Sequence, residues 1–131
     1  MKINTHGLTI LAIILCVLPI GTSVSAHHSF SSFNMRIEMT VTGTVRQIDW
    51  TNPHIWIWLD VPNQDGGVDT WGMEGMSPNY LARRGWTKDT LKVGDQITAV
   101  IRPMADGSNG GMFLRTTLAD GTSLTMGGAS R

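Results

Sequence analysis

Asp49-Trp50-Thr51-Asn52-Pro53-His54-Ile55-Trp56-Ile57-Trp58-Leu59-Asp60 decides how this chain folds, and it holds three of the five tryptophans. From Ile55 onward it alternates. Ile55, Ile57, Leu59 and Val61 fall on one face of a strand; His54, Trp56, Trp58 and Asp60 fall on the other. The aliphatic row predicts a buried face. The second row is aromatic with polar tips, which suits a half-buried wall or a ligand surface. Thr51-Asn52-Pro53 turns the chain just before it, because proline sets its own φ and restricts the residue ahead of it.

Working upstream, Met39 to Trp50 reads as a first strand in which Val41, Gly43 and Val45 alternate with Thr42, Thr44 and Arg46. Ile48 has the opposite parity from Val45, which predicts a bulge near Arg46-Gln47. Gly43 in mid-strand predicts a sharp coil or a close backbone approach. His27 to Glu38 reads as an arm lying on the sheet. Ahead of it, Lys2, the apolar run Leu8–Ile20 and the small residues Val24-Ser25-Ala26 read as a secretory signal cleaved after Ala26. The apolar run is about 13 residues against the roughly 20 a bilayer span needs, so a membrane anchor is not expected. The domain plan is residues 1–26 signal, 27–38 arm, 39–126 barrel and 127–131 tail, with a periplasmic or secreted destination.

Working downstream, the second strand extends from His54 to Val61, and Pro62 to Gly67 form a hairpin loop rich in turn residues. Val68 to Met76 is the third strand. Ser77 to Gly85 carries helix signals: Ser77 as N-cap, Pro78 at the first helical position, and Gly85 for a left-handed exit. Arg83 and Arg84 lie at its C-terminal end, where the helix dipole favours cations. Trp86 follows, placed to plug a barrel end. Gln96 to Met104 is the fourth strand, with Ile97, Ala99 and Ile101 inward. Ala105 to Gly111 is a glycine-rich loop, Met112 to Leu118 the fifth strand, and Ser123 to Met126 a short sixth. The expectation is a mainly β protein: a small OB-type barrel of five to six strands with one short helix between strands 3 and 4. An SH3-like barrel or small sandwich is the rival.

Composition bounds the function. Cys16 leaves with the signal, so disulfides are excluded from the mature chain despite an oxidising destination. Acids and bases balance at 10 each, and loss of Lys2 leaves one acid in excess. No basic surplus exists to hold a phosphate backbone, which argues against nucleic acid. The Gly107–Gly111 loop lacks the lysine and strand-to-helix context of a phosphate loop. No activated serine accompanies Asp49 and His54, so a hydrolase triad is not indicated.

The motifs together carry a resemblance. Ala-His-His-Ser-Phe after a signal, Gly43-Thr44-Val45, Trp50-Thr51-Asn52-Pro53-His54, Trp71 with Glu74, Ser77-Pro78-Asn79, Arg83-Arg84-Gly85-Trp86 and Gly94-Asp95 occur in that order. This set resembles the bacterial exported domain-of-unknown-function 6152 family over essentially the whole mature chain. The resemblance implies an exported bacterial protein; it assigns no activity and carries over no catalytic residue.

Four groups of residues could carry chemistry. Cleavage before His27 would expose an amine and imidazole that chelate copper, with His28 or His54 completing the set; imidazole and amine nitrogens suit Cu(II). Solvated tail histidines, and a His54 that hydrogen-bonds its own turn, explain the same residues without metal. Three histidines without cysteines do not make a structural zinc site. Met35, Met39, Met73, Met76, Met104, Met112 and Met126 could supply thioethers for Cu(I), or simply fill gaps in a small core. Trp56 and Trp58, with Trp50 and Trp71 nearby, could form a ligand surface for a small molecule, a glycan or an envelope protein; the alternative is that they cover the barrel. Glu74 could act as acid or base if buried, or pair with Arg83 or Arg84 to orient the helix. The leading reading is a binding or envelope accessory module, and its alternative is a copper-binding protein.

Overall fold

A strand long enough to serve two neighbours starts the barrel, and the computed structural model, which describes residues 30–126, shows how it bends to do so. β1 (Met39–Asp49) pairs through its first half with β4 (Gln96–Pro103) and through its second half with β2 (Trp56–Pro62), both antiparallel. The register breaks between Val45 and Gln47, so Arg46 is the extra residue of a bulge at the predicted place. A bulge steepens the local twist, which lets β1 leave one partner and meet the other. Gly43 makes the close approach expected of it: a β-carbon there would lie 2.6 Å from the Asp60 carbonyl oxygen.

β3 (Val68–Glu74) continues antiparallel beside β2, and β5 (Gly110–Leu118) runs antiparallel beside β4. β3 and β5 then meet in parallel, through Gly72–Gly110, Met73–Gly111 and Glu74–Met112. That pairing closes the order β3-β2-β1-β4-β5 into a ring, and β6 (Ser123–Thr125) hangs on the free edge of β5. Closure leaves no long unpaired edge in the ring. The helix α1 (Pro78–Ala82) crosses between β3 and β4. The Ser77 hydroxyl accepts from the Tyr80 amide at 3.3 Å, and Gly85 exits at φ +87°, both as the sequence signals predict. The helix itself is only five residues long.

The core follows the alternation. Ile55, Ile57 and Leu59 from the β2 segment join Val41 and Val45 from β1, Met73, Ile97, Ala99, Ile101 and Phe113, all buried. Burying a side chain of this size contributes roughly 1.5–3 kcal/mol. Trp86 plugs one end: it is buried, meets Phe113 edge-on at 6.4 Å, and donates its indole N–H to the Thr125 carbonyl. The arm is pinned to the barrel, with the Asn34 amide donating to Pro103 O and the Ala105 amide to Ser32 O, each at 2.8 Å.

Three strand boundaries differ from the sequence expectation by two residues, and several others by one. β2 begins at Trp56 rather than His54, and β3 ends at Glu74 rather than Met76, although Gly75 N still donates to Ile55 O at 2.9 Å. β5 begins at Gly110, two residues into the stretch read as loop. The physical reason is shared: which strand end keeps pairing is set by the neighbour across the barrel. A second bulge, between Val100 and Ile101 of β4 and their partners on β5, leaves Leu114 without a register partner on β4 and turns Thr116 inward.

Candidate functional site: the outer face of β2 and β3

The row opposite the core residues of β2 lies on the outside of the barrel, half-buried. Trp56 and Trp58 stack on one another, with ring centroids 5.6 Å apart and planes 19° from parallel. Two devices hold Trp58. Its indole N–H donates to Asp49 Oδ2 at 2.9 Å. Its ring also covers Gly72, the residue paired with it on β3, where a β-carbon would come within 2.6 Å of the ring. A side chain at position 72 would therefore displace the indole.

Acids surround the pair. Gln47 donates to Asp49 Oδ1 at 2.7 Å, and that bond, with the Trp58 N–H, holds the Asp49 carboxyl below the usual carboxylate range. Because the folded-state value is depressed, the stabilisation is present above the ordinary value near pH 4 and is lost as pH falls through the lower folded value. Wild type should therefore melt higher than Asp49→Asn at pH 6, and the gap should shrink on titrating below about pH 4. A gap independent of pH would show that the Asp49 charge plays no part. At the other end of the row, Arg46 bridges Asp60 at 3.2 Å and Thr70 at 3.3 Å.

Across the barrel, register aligns Asp49 with Trp56, Trp56 with Glu74, and Glu74 with Met112. Glu74 is thus the hinge between the tryptophan face and the next feature. Its Oε1 takes a close hydrogen bond from His54 Nδ1. This corrects the pairing with a helix arginine: Arg84 instead lies over the Tyr80 ring at 3.5 Å and donates to the Tyr80 carbonyl. Arg84 is engaged on the helix, and histidine, two residues before Trp56, is the partner Glu74 takes.

Beside this pair opens a cleft of about 370 Å³, lined by His54, Glu74, Met76, Met112 and Leu114 of the barrel and Tyr80 of α1, with Phe30 and Phe33 from the arm. Phe113 and Met126 form its floor. Its walls are predominantly apolar, with the imidazole of His54 and the carboxylate of Glu74 set among them.

Trp50 and Trp71 are placed elsewhere. Both pack against the core cluster; Trp50 sits with Ile48, Ile55, Ile57 and Trp86 near the plugged end. His27 and His28 lie outside the described residues. Among the described residues no three of His, Cys, Asp and Glu gather as a metal set, and no helix is long and apolar enough to cross a membrane. The methionine set read from the sequence includes Met76 and Met112 but spans the whole mature chain, and nothing in their spacing links positions 76, 80 and 112 to one cleft.

A five-stranded antiparallel ring closed by a parallel β3–β5 contact, with its helix between β3 and β4, is a barrel of the OB class. The chain belongs to a family of unknown function (DUF6152), whose profile matches residues 14–115. No curated protein matches it. Among solved structures it is similar to the mitochondrial single-stranded DNA binding protein Rim1 from S. cerevisiae, at 10% identity and a TM-score of 0.46, covering 72% of this chain and 98% of that one.

Proposed function

We propose that this chain is an exported, non-catalytic binding module, and that its ligand is a small, uncharged, hydroxyl-bearing molecule, a glycan unit in the first place. The observation that carries the reading is the Trp56–Trp58 stack on the outer face of β2. In OB barrels the surface of strands 2 and 3 is where oligosaccharides and oligonucleotides are held. Stacked indoles offer a flat apolar wall that suits the faces of sugar rings. The carboxylates of Asp49, Asp60 and Glu74 along that wall are acceptors for hydroxyl groups, and they repel phosphate. The same acids make nucleic acid a poor partner. Export and a periplasmic or secreted location are supported by the leader-like residues 1–26.

The test is a fluorescence titration with chitotetraose and maltotetraose. One of them should shift the tryptophan emission saturably, and Trp56→Ala should weaken binding at least tenfold, a loss of about 1.4 kcal/mol. If neither sugar moves the emission of wild type, the glycan reading falls.

A second reading keeps copper at the mature N-terminus, with His27, His28 and His54. It is supported by Phe30, which lines the same cleft as His54, while only Ser29 separates His28 from Phe30. Three extended residues span at most roughly 11 Å. Native intact mass of the exported protein, with and without chelator, reads the first residue and the bound metal together. A chain starting at His27 that takes up no Cu(II) would end this reading.

A further inference from the structure

We infer that the cleft beside the tryptophan face is a soft-metal site for Cu(I), with His54, Met76 and Met112 as its ligands and Glu74 as the residue that orients the imidazole. The inference depends on neither reading above. Three features carry it.

The first is the state of His54. Glu74 Oε1 pairs with Nδ1, so that edge of the imidazole is taken by the carboxylate and Nε2 is the ring nitrogen left for a metal. A carboxylate behind a histidine in this way fixes the tautomer and raises the basicity of the other nitrogen, as it does behind metal-bound histidines generally. Glu74 is itself placed by sheet register, between Trp56 and Met112, so the pair is built on strand rather than loop.

The second is the donor set. Met76 and Met112 line the same cleft as His54, and Met126 lies in its floor. Thioethers with imidazole are a soft-to-borderline set that selects Cu(I) over Mg, Ca or Mn, which want oxygen. Met112 follows Glu74 directly across the β3–β5 pairing. Met76 is partly exposed where it lines the cleft, whereas Met73, next to Glu74 on β3, is wholly inside the barrel. Gap-filling accounts for Met73 and Met126, which are buried; Met76 and Met112 border the open volume of the cleft.

The third is charge. The walls are apolar, and an uncompensated ion is costly there. Glu74 supplies one negative charge through its contact with His54, and the other donors are neutral. That balances a monovalent cation and leaves a divalent one uncompensated.

The test is anaerobic competition of the full chain for Cu(I) against bathocuproine disulfonate, together with Ag(I) as a redox-silent probe in methionine-methyl NMR. Wild type and His27→Ala/His28→Ala should each retain one Cu(I) per chain. Met76→Leu/Met112→Leu, which keeps side-chain volume, and His54→Gln should each bind at least tenfold more weakly. Glu74→Gln should weaken binding by about tenfold and move the His54 ring nitrogen shifts, as expected of a positioning residue. Ag(I) should shift the methyls of Met76 and Met112 and leave Met39 unmoved. The inference is overturned if the chelator strips wild type completely, if the double leucine variant binds as wild type does, or if only the His27/His28 variant loses the metal. The last outcome would place copper at the N-terminus and leave the cleft empty of it.

Discussion

Gly111→Val is expected to unfold the barrel more readily than any conservative core change. A β-carbon at Gly111 would lie 2.3 Å from the Arg102 carbonyl oxygen and 3.0 Å from the Ile101 side chain. Its neighbour Gly110 would meet the Gly72 carbonyl oxygen at 2.4 Å. These two glycines sit where β5 pairs with β4 on one side and β3 on the other, the contact that makes the sheet a ring. The clashing atoms are backbone, so rotamer changes cannot relieve them; a strand has to move. The cost should be about 3 kcal/mol, which for a domain of this size lowers the melting temperature by roughly 12–24 °C. Gly66→Ala is the control. Gly66 has φ +80° with nothing near its missing β-carbon, so only the left-handed backbone penalty of about 1–2 kcal/mol applies. Thermal melts of the two variants side by side decide the matter. Equal melting points would mean that the β3–β5 closure tolerates a side chain and that the ring is not a stability determinant.

The second large effect is expected at Phe113. Its side chain is 2% exposed, meets Trp86 edge-on, and forms part of the cleft floor. Phe113→Ala removes the ring from between the plug and the cleft, and should cost about 3–5 kcal/mol through lost burial and the cavity left behind. The aromatic pair contributes roughly 0.5–1.5 kcal/mol beyond area. Urea denaturation should therefore show a much lower midpoint for Phe113→Ala than for Phe113→Leu, which refills most of the space. A loss under about 1 kcal/mol for alanine would show that Trp86 and the floor repack without the ring, against the close packing of small cores. The same substitution opens the cleft downward, so it tests stability rather than binding and should be kept apart from the metal experiment.

Local pattern and tertiary contact shape different parts of this molecule. Local periodicity made β2 legible, because alternation at Ile55, Ile57 and Leu59 can be satisfied only by a strand with one buried face. The bulge at Arg46 was legible for the same reason: Val45 and Ile48 could not both face inward without it. The helix signals at Ser77, Pro78 and Gly85 were legible because capping is a contact between near neighbours. The bulge at Leu114 was not, since Phe113 and Thr116 show their inward facing only when β4 is alongside. The strand character of Gly110 and Gly111 was hidden in the same way, because glycines in a run look like loop until a second backbone is seen pressed against them.

The candidate site divides along that line too. The amino-acid sequence by itself determined that Trp56 and Trp58 share a face with His54, because strand geometry puts every second side chain on one side whatever the strand packs against. It also determined a barrel with its helix after the third strand, from the order of apolar patterns and turns. Only the tertiary structure decided that Glu74 takes His54 rather than an arginine, that Trp50 and Trp71 pack against the core, and that Met76 and Met112 line one cleft. Those are contacts between residues on different strands, and they are set by register and closure, quantities that no local pattern contains.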